Sequence, residues 1–313
     1  MMFELALYIM LLAVSLTVLA IASQFTIKSI EDFIELTHLS ETSVGFALMS
    51  VMTSLPEIFV AVFSVLHGKP GFSVGDILGS NVFNIGIVVG IMATMGYFRK
   101  CSAEILVELI DILFLSSVIP LILLVYGKAH FLIGLALLAI FAFSMREMIK
   151  RKKQSITLKG KIVKGEAGRK LVLFKIVVGT VVVIVAAELM IASASNISTM
   201  FGIAPILIGA KLLSIGTSIP ELALDLTAVH RGRIHLALGD IIGSNLTNIT
   251  LVLGILLLLS PFEVINLTLF AEVVPFVLIT TLILWRYLAK GGISQIGGIA
   301  LILTYVVFQA AIT

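Results

Sequence analysis

Apolar runs of about 20 residues, the length a helix needs to cross a bilayer, follow one another along this chain with brief polar connections between them. On that template about ten spans are predicted, near 3–23, 43–66, 73–97, 104–126, 130–147, 171–194, 207–229, 236–260, 268–288 and 292–312. The polar residues inside these runs are not scattered. Thr53-Ser54-Leu55-Pro56-Glu57 and Thr217-Ser218-Ile219-Pro220-Glu221 each set a carboxylate, two hydroxyls and a proline inside a predicted span. The second run lies 164 residues after the first, and the same offset holds without a gap over a long stretch. Gly45 pairs with Gly209, Ser50 with Ser214, Gly75-Asp76 with Gly239-Asp240, Gly79-Ser80-Asn81 with Gly243-Ser244-Asn245, and Asn84 with Asn248. Even Glu188 meets a polar residue, Gln24.

Composition narrows the class. Of 313 residues 59% are hydrophobic and only 12% charged, where a soluble domain has about 25% charged; an all-α polytopic membrane protein is expected. The single cysteine, Cys101, excludes an intrachain disulfide framework and reads as a plain residue at a helix end. The first apolar run could imitate a signal peptide, but it has no basic leader and its repeat counterpart near 171–193 is internal, so it reads as a retained span. The net charge of +3 matters through its distribution. The longest polar stretch, 146–170, carries Lys150-Arg151-Lys152-Lys153, and cytoplasmic loops gather Lys and Arg; a lipid-binding role is the alternative. Five spans before a cytoplasmic loop put the N-terminus outside. Arg99, Lys100, Arg231, Arg233, Arg286 and Lys290 then all fall inside, and only Lys69 and Lys128 outside. The chain divides into a five-helix half at 1–145, the basic loop at 146–170 and a second five-helix half at 171–313. An odd number of spans per half inverts the second half relative to the first.

The two prolines carry chemical consequences. Proline cannot donate the helical hydrogen bond and clashes with the preceding turn, so Pro56 and Pro220 are expected to break their helices near the midplane and leave carbonyls bare. Together with hydroxyls and a carboxylate, these form a hard-oxygen set suited to Na⁺ or Ca²⁺. An ionisable group within a span costs about 3 kcal/mol on insertion scales and marks a pathway for ions or protons. For Glu57 and Glu221 the competing explanation is an ion pair with a buried base. Lys211, the lysine in the same span as Glu221, stands ten residues before it, roughly 15 Å along one helix, and ligation is the better reading. For Thr53, Ser54, Thr217 and Ser218 the competitor is bonding back to their own helix. For Asn84 and Asn248 it is adhesion between helices, with Ser80 and Ser244 one turn earlier on the same faces. Asp76 and Asp240, near opposite ends of their spans, suit mouth carboxylates that attract cations, or N-terminal residues favoured by the helix dipole. Asp225, whose repeat partner is Ala61, lines an inner pathway or pairs with a base such as Arg231. Glu108 and Asp111 are expected to face protein. Histidine spacing gives no metal site, and no phosphate-binding glycine loop points to ATP.

These motifs, Gly45…Thr53-Ser54-Leu55-Pro56-Glu57…Gly79-Ser80-Asn81…Asn84 and Gly209…Gly216-Thr217-Ser218-Ile219-Pro220-Glu221…Gly243-Ser244-Asn245…Asn248, closely resemble the two α-repeats of the cation/Ca²⁺ antiporter superfamily, specifically the sodium/calcium exchangers of archaea and animals. The resemblance implies a fold of two inverted five-helix repeats whose first and sixth spans slide as a gate. It implies Glu57 and Glu221 as shared Ca²⁺/Na⁺ ligands. Thr53, Ser54, Thr217, Ser218, Ser80 and Ser244 would complete the Na⁺ positions with the carbonyls of Ser50 and Ser214, and Asn84 and Asn248 would flank the centre. It implies a monomeric, multi-pass cell-membrane antiporter that is no enzyme, has no cofactor and binds no nucleic acid, with Ca²⁺, Na⁺ and the bilayer as its partners. Three positions depart from the pattern. Met52 replaces a usual glycine. Asn248 stands where K⁺-dependent relatives carry aspartate, which argues against K⁺ co-transport. Asp76 and Asp240 add carboxylates. H⁺/Ca²⁺ exchange on the same glutamates is the nearest rival, and a cation channel a more distant one.

Overall fold

A computed structural model describes residues 2–37, 50–101, 104–126, 131–150, 166–260 and 267–312. Gly45, Lys128 and the basic run 151–153 lie outside the described residues. Helices occupy every predicted span. They are α1 Met2–Thr37, α2 Leu55–Leu66 with a helical turn at 50–53 before it, α3 Gly71–Thr94, α4 Glu104–Tyr126, α5 Phe131–Lys150, α6 Glu166–Phe201, α7 Pro205–His230, α8 Ile234–Leu259, α9 Leu267–Leu288 and α10 Gln295–Ala311. Six of them are long and apolar enough to cross a membrane, and α2, the 131–146 part of α5 and α10 are shorter apolar helices. The chain is an all-helical membrane protein built from two inverted repeats. The first and sixth helices run well past the predicted ends of their spans.

The helices differ in what they touch. In α3 and α8, 83% of the span is buried inside the protein, against 22% in α1 and 39% in α6. α3 and α8 are therefore the centre. α1 and α6 pack along each other at the edge through an apolar cluster that includes Leu12, Leu19, Val183, Ala187 and Met190 and extends to Val60 of α2, Phe72 of α3 and Ile208 and Leu213 of α7. Their other faces leave Ile9, Val14, Ile21, Val177, Val181 and Val185 exposed, as lipid-facing side chains should be.

Small residues let backbones approach where no hydrophobic force separates helix from lipid, and here they interlock the halves. A Cβ on Gly298 of α10 would fall 2.7 Å from the Gly90 carbonyl of α3, and one on Gly134 of α5 would fall 2.9 Å from the Gly254 carbonyl of α8. Gly90 and Gly254 are repeat mates, as are Gly134 and Gly298. The fifth helix of each half thus crosses the third helix of the other half. α4 and α9 exchange in the same way, α4 against α8 and α9 against α3.

Symmetry also appears as a bond. Asn81 Nδ2 donates to the Asn245 carbonyl (3.1 Å) and Asn245 Nδ2 donates to the Asn81 carbonyl (3.4 Å), across a separation of 164 residues. Two repeat mates that bond reciprocally lie on the axis relating the repeats.

The connections sort to two ends. Gly71 lies against Pro205 and Ile206, so the 67–70 turn shares an end with the start of α7, and the 231–233 turn lies at the opposite end. At that opposite end Tyr97 meets His230 edge-on (5.7 Å), Cys101 N–H donates to the Gly291 carbonyl (2.9 Å) and Ile293 N–H to that of Phe98 (2.7 Å). Arg99, Lys100, Arg231, Arg233 and Lys290 are thereby brought to one end of the molecule. Cys101 is buried there, outside the helices, and burial pushes its thiol up to about 11.

Overpacking a tight backbone crossing costs about 1–3 kcal/mol. Gly298→Ala would press on a carbonyl and on the Thr94 N–H, whereas Gly254→Ala would first meet the movable Leu138 side chain at 3.0 Å. Thermal melts of the detergent-solubilised protein should therefore show Gly298→Ala lowering the midpoint more than Gly254→Ala.

Candidate functional site

At the centre the two proline motifs differ in backbone. In the first half the helix interrupts at Ser54 (φ −83°, ψ 8°) and restarts at Leu55 with Pro56 in its first turn. In the second half the helix continues through Pro220, contrary to the expected break, and the irregularity moves upstream into a π-helical turn at Gly209–Leu213. Such π turns cluster at functional sites. α3 and α8 carry π turns too, Asn84–Val89 and Asn248–Val252, beginning at repeat-mate asparagines.

Charge is the dominant feature. Glu57, Asp76, Glu221, Asp225 and Asp240 are all buried, and among the described residues no lysine, arginine or histidine is buried with them. Neither carboxylate oxygen of Glu57, Glu221 or Asp225 has a hydrogen-bond partner within 3.5 Å, although the Thr217 hydroxyl approaches Glu57. Glu57 and Glu221 lie close enough for their charges to interact. Glu57 also couples to Asp76, and Glu221 to Asp225 and Asp240. The expectation that Asp225 pairs with Arg231 is not met.

Hydroxyls and amides line the same region. Ser80 and Thr217 share a hydrogen bond (3.2 Å), Thr217 donates to Asp76 Oδ1 (3.0 Å), and Ser80 Oγ is 3.5 Å from the Ser214 carbonyl. Thr53 and Thr217 stand equally, each 3.4 Å from the carbonyl three residues back, Ser50 and Ser214. Most span hydroxyls, such as Ser117, Thr250 and Thr281, instead bond tightly to the carbonyl four residues back. Ser54 Oγ and Ser218 Oγ are buried with no partner. Ser214 follows that habit and bonds to Ala210, while Ser244 bonds within its own helix to the Ile241 carbonyl three residues back (3.2 Å). Asn84 donates to Asn245 Oδ1 (3.1 Å) and keeps its own Oδ1 unpartnered, while neither polar atom of Asn248 has a partner.

Two further findings depart from the sequence reading. Asp76 is not at a mouth: it is fully buried and bonded to Thr217 inside the central cluster. Asn81 and Asn245, present in the repeats but assigned no role, hold the axis; their separation by the repeat offset was the available signal. Asp111, by contrast, meets protein as expected, accepting from Trp285 Nε1 (2.6 Å).

Among the described residues no three His, Cys, Asp or Glu side chains converge as a metal cluster. A cation held here would be shared between paired carboxylates and neutral oxygens, which suits hard, oxygen-seeking ions.

The two ends differ. At one, His67 Nε2 and Glu188 Oε1 of α6 are 3.0 Å apart, and Lys69 Nζ donates to the Ser195 carbonyl (2.9 Å) and to Thr199 Oγ1 (2.7 Å). Burial there lowers the Lys69 pKa below the usual lysine value. At the other end a cavity of about 200 Å³ is lined by Gln24, Lys28, Asp225, Arg231, Arg233 and Asp240 among others.

Matched irregular helices in two inverted halves around a buried polar centre define a secondary transporter of the inverted-repeat class. The sodium/calcium exchanger protein family matches residues 7–149 and 171–313, two stretches that begin 164 residues apart, and the chain belongs to that family. It is 24% identical to the sodium/calcium exchanger MaX1 of Methanosarcina acetivorans over 96% of each chain. It is 29% identical to the inner membrane protein YrbG of Escherichia coli over 71% of this chain and 70% of that one. Among solved structures, a crystal of the sodium–calcium exchanger NCX_Mj soaked with Na⁺ and Sr²⁺ superposes with a TM-score of 0.69 at 25% identity, covering 99% of this chain and 100% of that one.

Leaving a buried polar group unpaired costs about 1–3 kcal/mol. Asn245→Ala removes the partner of the Asn84 amide and one bond to Asn81. A double-mutant cycle with Asn84→Ala, read by thermal unfolding, should give strongly non-additive losses. Lys69→Met should loosen the 67–70 end, measured as faster labelling of a cysteine introduced at Ser54 by a reagent supplied from that side in a Cys101→Ser background.

Proposed function

We propose that this protein is a Na⁺/Ca²⁺ antiporter working by alternating access. The carrying observation is the pair Glu57 and Glu221: buried, charge-coupled, without hydrogen-bond partners and without a buried base. Desolvated carboxylates without a cationic partner are costly, and a cation or a proton removes that cost. Thr53, Ser54, Thr217, Ser218 and Ser80, the carbonyls of Ser50 and Ser214, and Asn84 and Asn248 supply neutral oxygens, with Ser244 available by rotation. Neutral oxygens complete a Na⁺ or Ca²⁺ shell but add little for a proton, which favours metal cations over H⁺. Asp76 deepens the negative potential from within the cluster.

Coupling follows from charge. One Ca²⁺ neutralises the glutamate pair, and a single Na⁺ does not. Several Na⁺ must therefore act together to displace Ca²⁺, whose attraction to two carboxylates is about twice that of Na⁺ at equal distance. An unneutralised pair resists passage through a low-dielectric barrier, which suppresses leak. The gate we assign to α1 and α6, which meet Val60, Phe72, Ile208 and Leu213 of the α2–α5 and α7–α10 core through purely apolar contacts that can slide. We place the N-terminus outside and the 231–233 end in the cytoplasm, in keeping with the arginines and lysines gathered at that end. Residues 1–145 and 171–313 act as the two halves, joined by the basic stretch 146–170, whose ends at 146–150 and 166–170 continue α5 and α6.

The test is Na⁺-gradient-driven uptake of radioactive Ca²⁺ into proteoliposomes. Glu57→Gln should reduce uptake to background while the purified protein keeps its melting temperature. Replacing Na⁺ by choline should abolish uptake in the wild type; uptake that persists on a proton gradient alone would transfer the assignment to H⁺/Ca²⁺ exchange.

A further inference from the structure

The repeat offset pairs every central carboxylate with an equivalent except one. Glu57 answers Glu221 and Asp76 answers Asp240, but Asp225 answers Ala61. Asp225 sits one helical turn beyond Glu221, at 1% exposure, with both oxygens unpartnered, and it lines the cavity of about 200 Å³ at the 231–233 end. Asp240 of α8, also at 1% exposure, lines the same cavity, and its charge interacts with that of Asp225. Glu221 feels both. The bases of this cavity are arranged differently: Lys28 and Arg231 are exposed and Arg233 is half-buried. Acids thus form its floor and bases its rim.

We propose that Asp225 and Asp240 form a second cation station, a vestibular site for a divalent ion such as Ca²⁺ on the 231–233 side, one turn from the central glutamates. This rests on the exchanger reading above and adds to it a site with no counterpart in the other half. A buried, unpartnered carboxylate facing a cavity large enough for a hydrated ion is a ligand in waiting, because its desolvation is unrelieved until a cation arrives. A second carboxylate supplies the charge that distinguishes a divalent ion from a monovalent one. Its position next to Glu221 makes it a relay, since like-charged neighbours lower the barrier for a cation to step between them. Because Ala61 stands at the mirror position, the relay serves one face of the membrane only. The exposed rim bases hold the station weak and let the ion leave.

Calcium binding to the purified full-length protein, followed by isothermal titration and equilibrium dialysis with Ca²⁺ alone, tests this. The wild type should bind at two classes of site. The Glu57→Gln/Glu221→Gln variant should keep only the weaker class, in the range of about 10⁻⁴–10⁻³ M usual for sites of few carboxylates. Adding Asp225→Asn should remove that class. In transporting vesicles, Asp225→Asn should raise the Ca²⁺ KM several-fold from the 231–233 face and leave KM at the opposite face unchanged. Absence of binding in the Glu57→Gln/Glu221→Gln variant, or residual binding indifferent to Asp225→Asn, overturns the station and leaves the central site standing. Binding that survives the double glutamine change undiminished instead sinks the central site. Asp225→Ser provides a second variant should Asp225→Asn fail to fold, and melting temperatures of each identify that failure.

Discussion

Five carboxylates inside a protein that lies within a bilayer, with no buried base among the described residues to answer them, is the condition to which the rest of the structure responds. The effective desolvation penalty for one buried ion is several kcal/mol, and a fold that carried five unrelieved would lose most of the roughly 5–15 kcal/mol of stability a protein has. The chain manages this charge by surroundings rather than by ion pairs. Thr217 bonds Asp76, the hydroxyls of Thr53, Ser54, Ser80 and Ser218 stand nearby, and the backbone of both halves departs from regular α-helix, at matched places in α3 and α8 and at different places in α2 and α7. Such departures are tolerated at membrane depth only where protein or a cavity surrounds them, which is why α3 and α8 are the most buried spans.

Burying those two helices requires the halves to interlock. A pair of bundles set side by side would leave one face of α3 and of α8 toward lipid. Exchanging the fourth and fifth helices across the axis covers both, and the glycine crossings Gly90–Gly298 and Gly134–Gly254 make the exchange close enough. The reciprocal Asn81–Asn245 bond then fixes the register of the two repeats where the axis passes. Specificity of assembly comes from a few polar and small residues, and bulk apolar contact fills the remainder.

Much of this was legible in the chain. Ten apolar runs, the constant offset and the proline motifs gave the helix order, the repeat and the carboxylate pair, because hydropathy and period are local properties. Three features were not. Pro220 sits in an unbroken helix and the irregularity of α7 lies upstream in a π turn, which has no sequence period of its own. Asp76 looked peripheral when counted along its helix. It is central because α3 lies against the start of α7, which brings Thr217 to it. The interlock of the halves depends on glycine contacts between distant segments, which a single sequence does not pair. Asn81 and Asn245 were visible as repeat mates, yet nothing local distinguishes an axis residue from its neighbours.

The contrast between the two ends has a consequence of its own. His67, Lys69 and Glu188 have repeat mates in Arg231, Arg233 and Gln24. At one end His67 meets Glu188 and Lys69 holds Ser195 and Thr199, all on α6, whereas Arg231, Arg233 and Gln24 border an open cavity at the other. Since the halves are copies of one design, a single snapshot displays that design in two postures, shut in one copy and parted in the other. On the alternating-access reading proposed above, the difference between the postures is the change each half would make in its turn, written within one molecule.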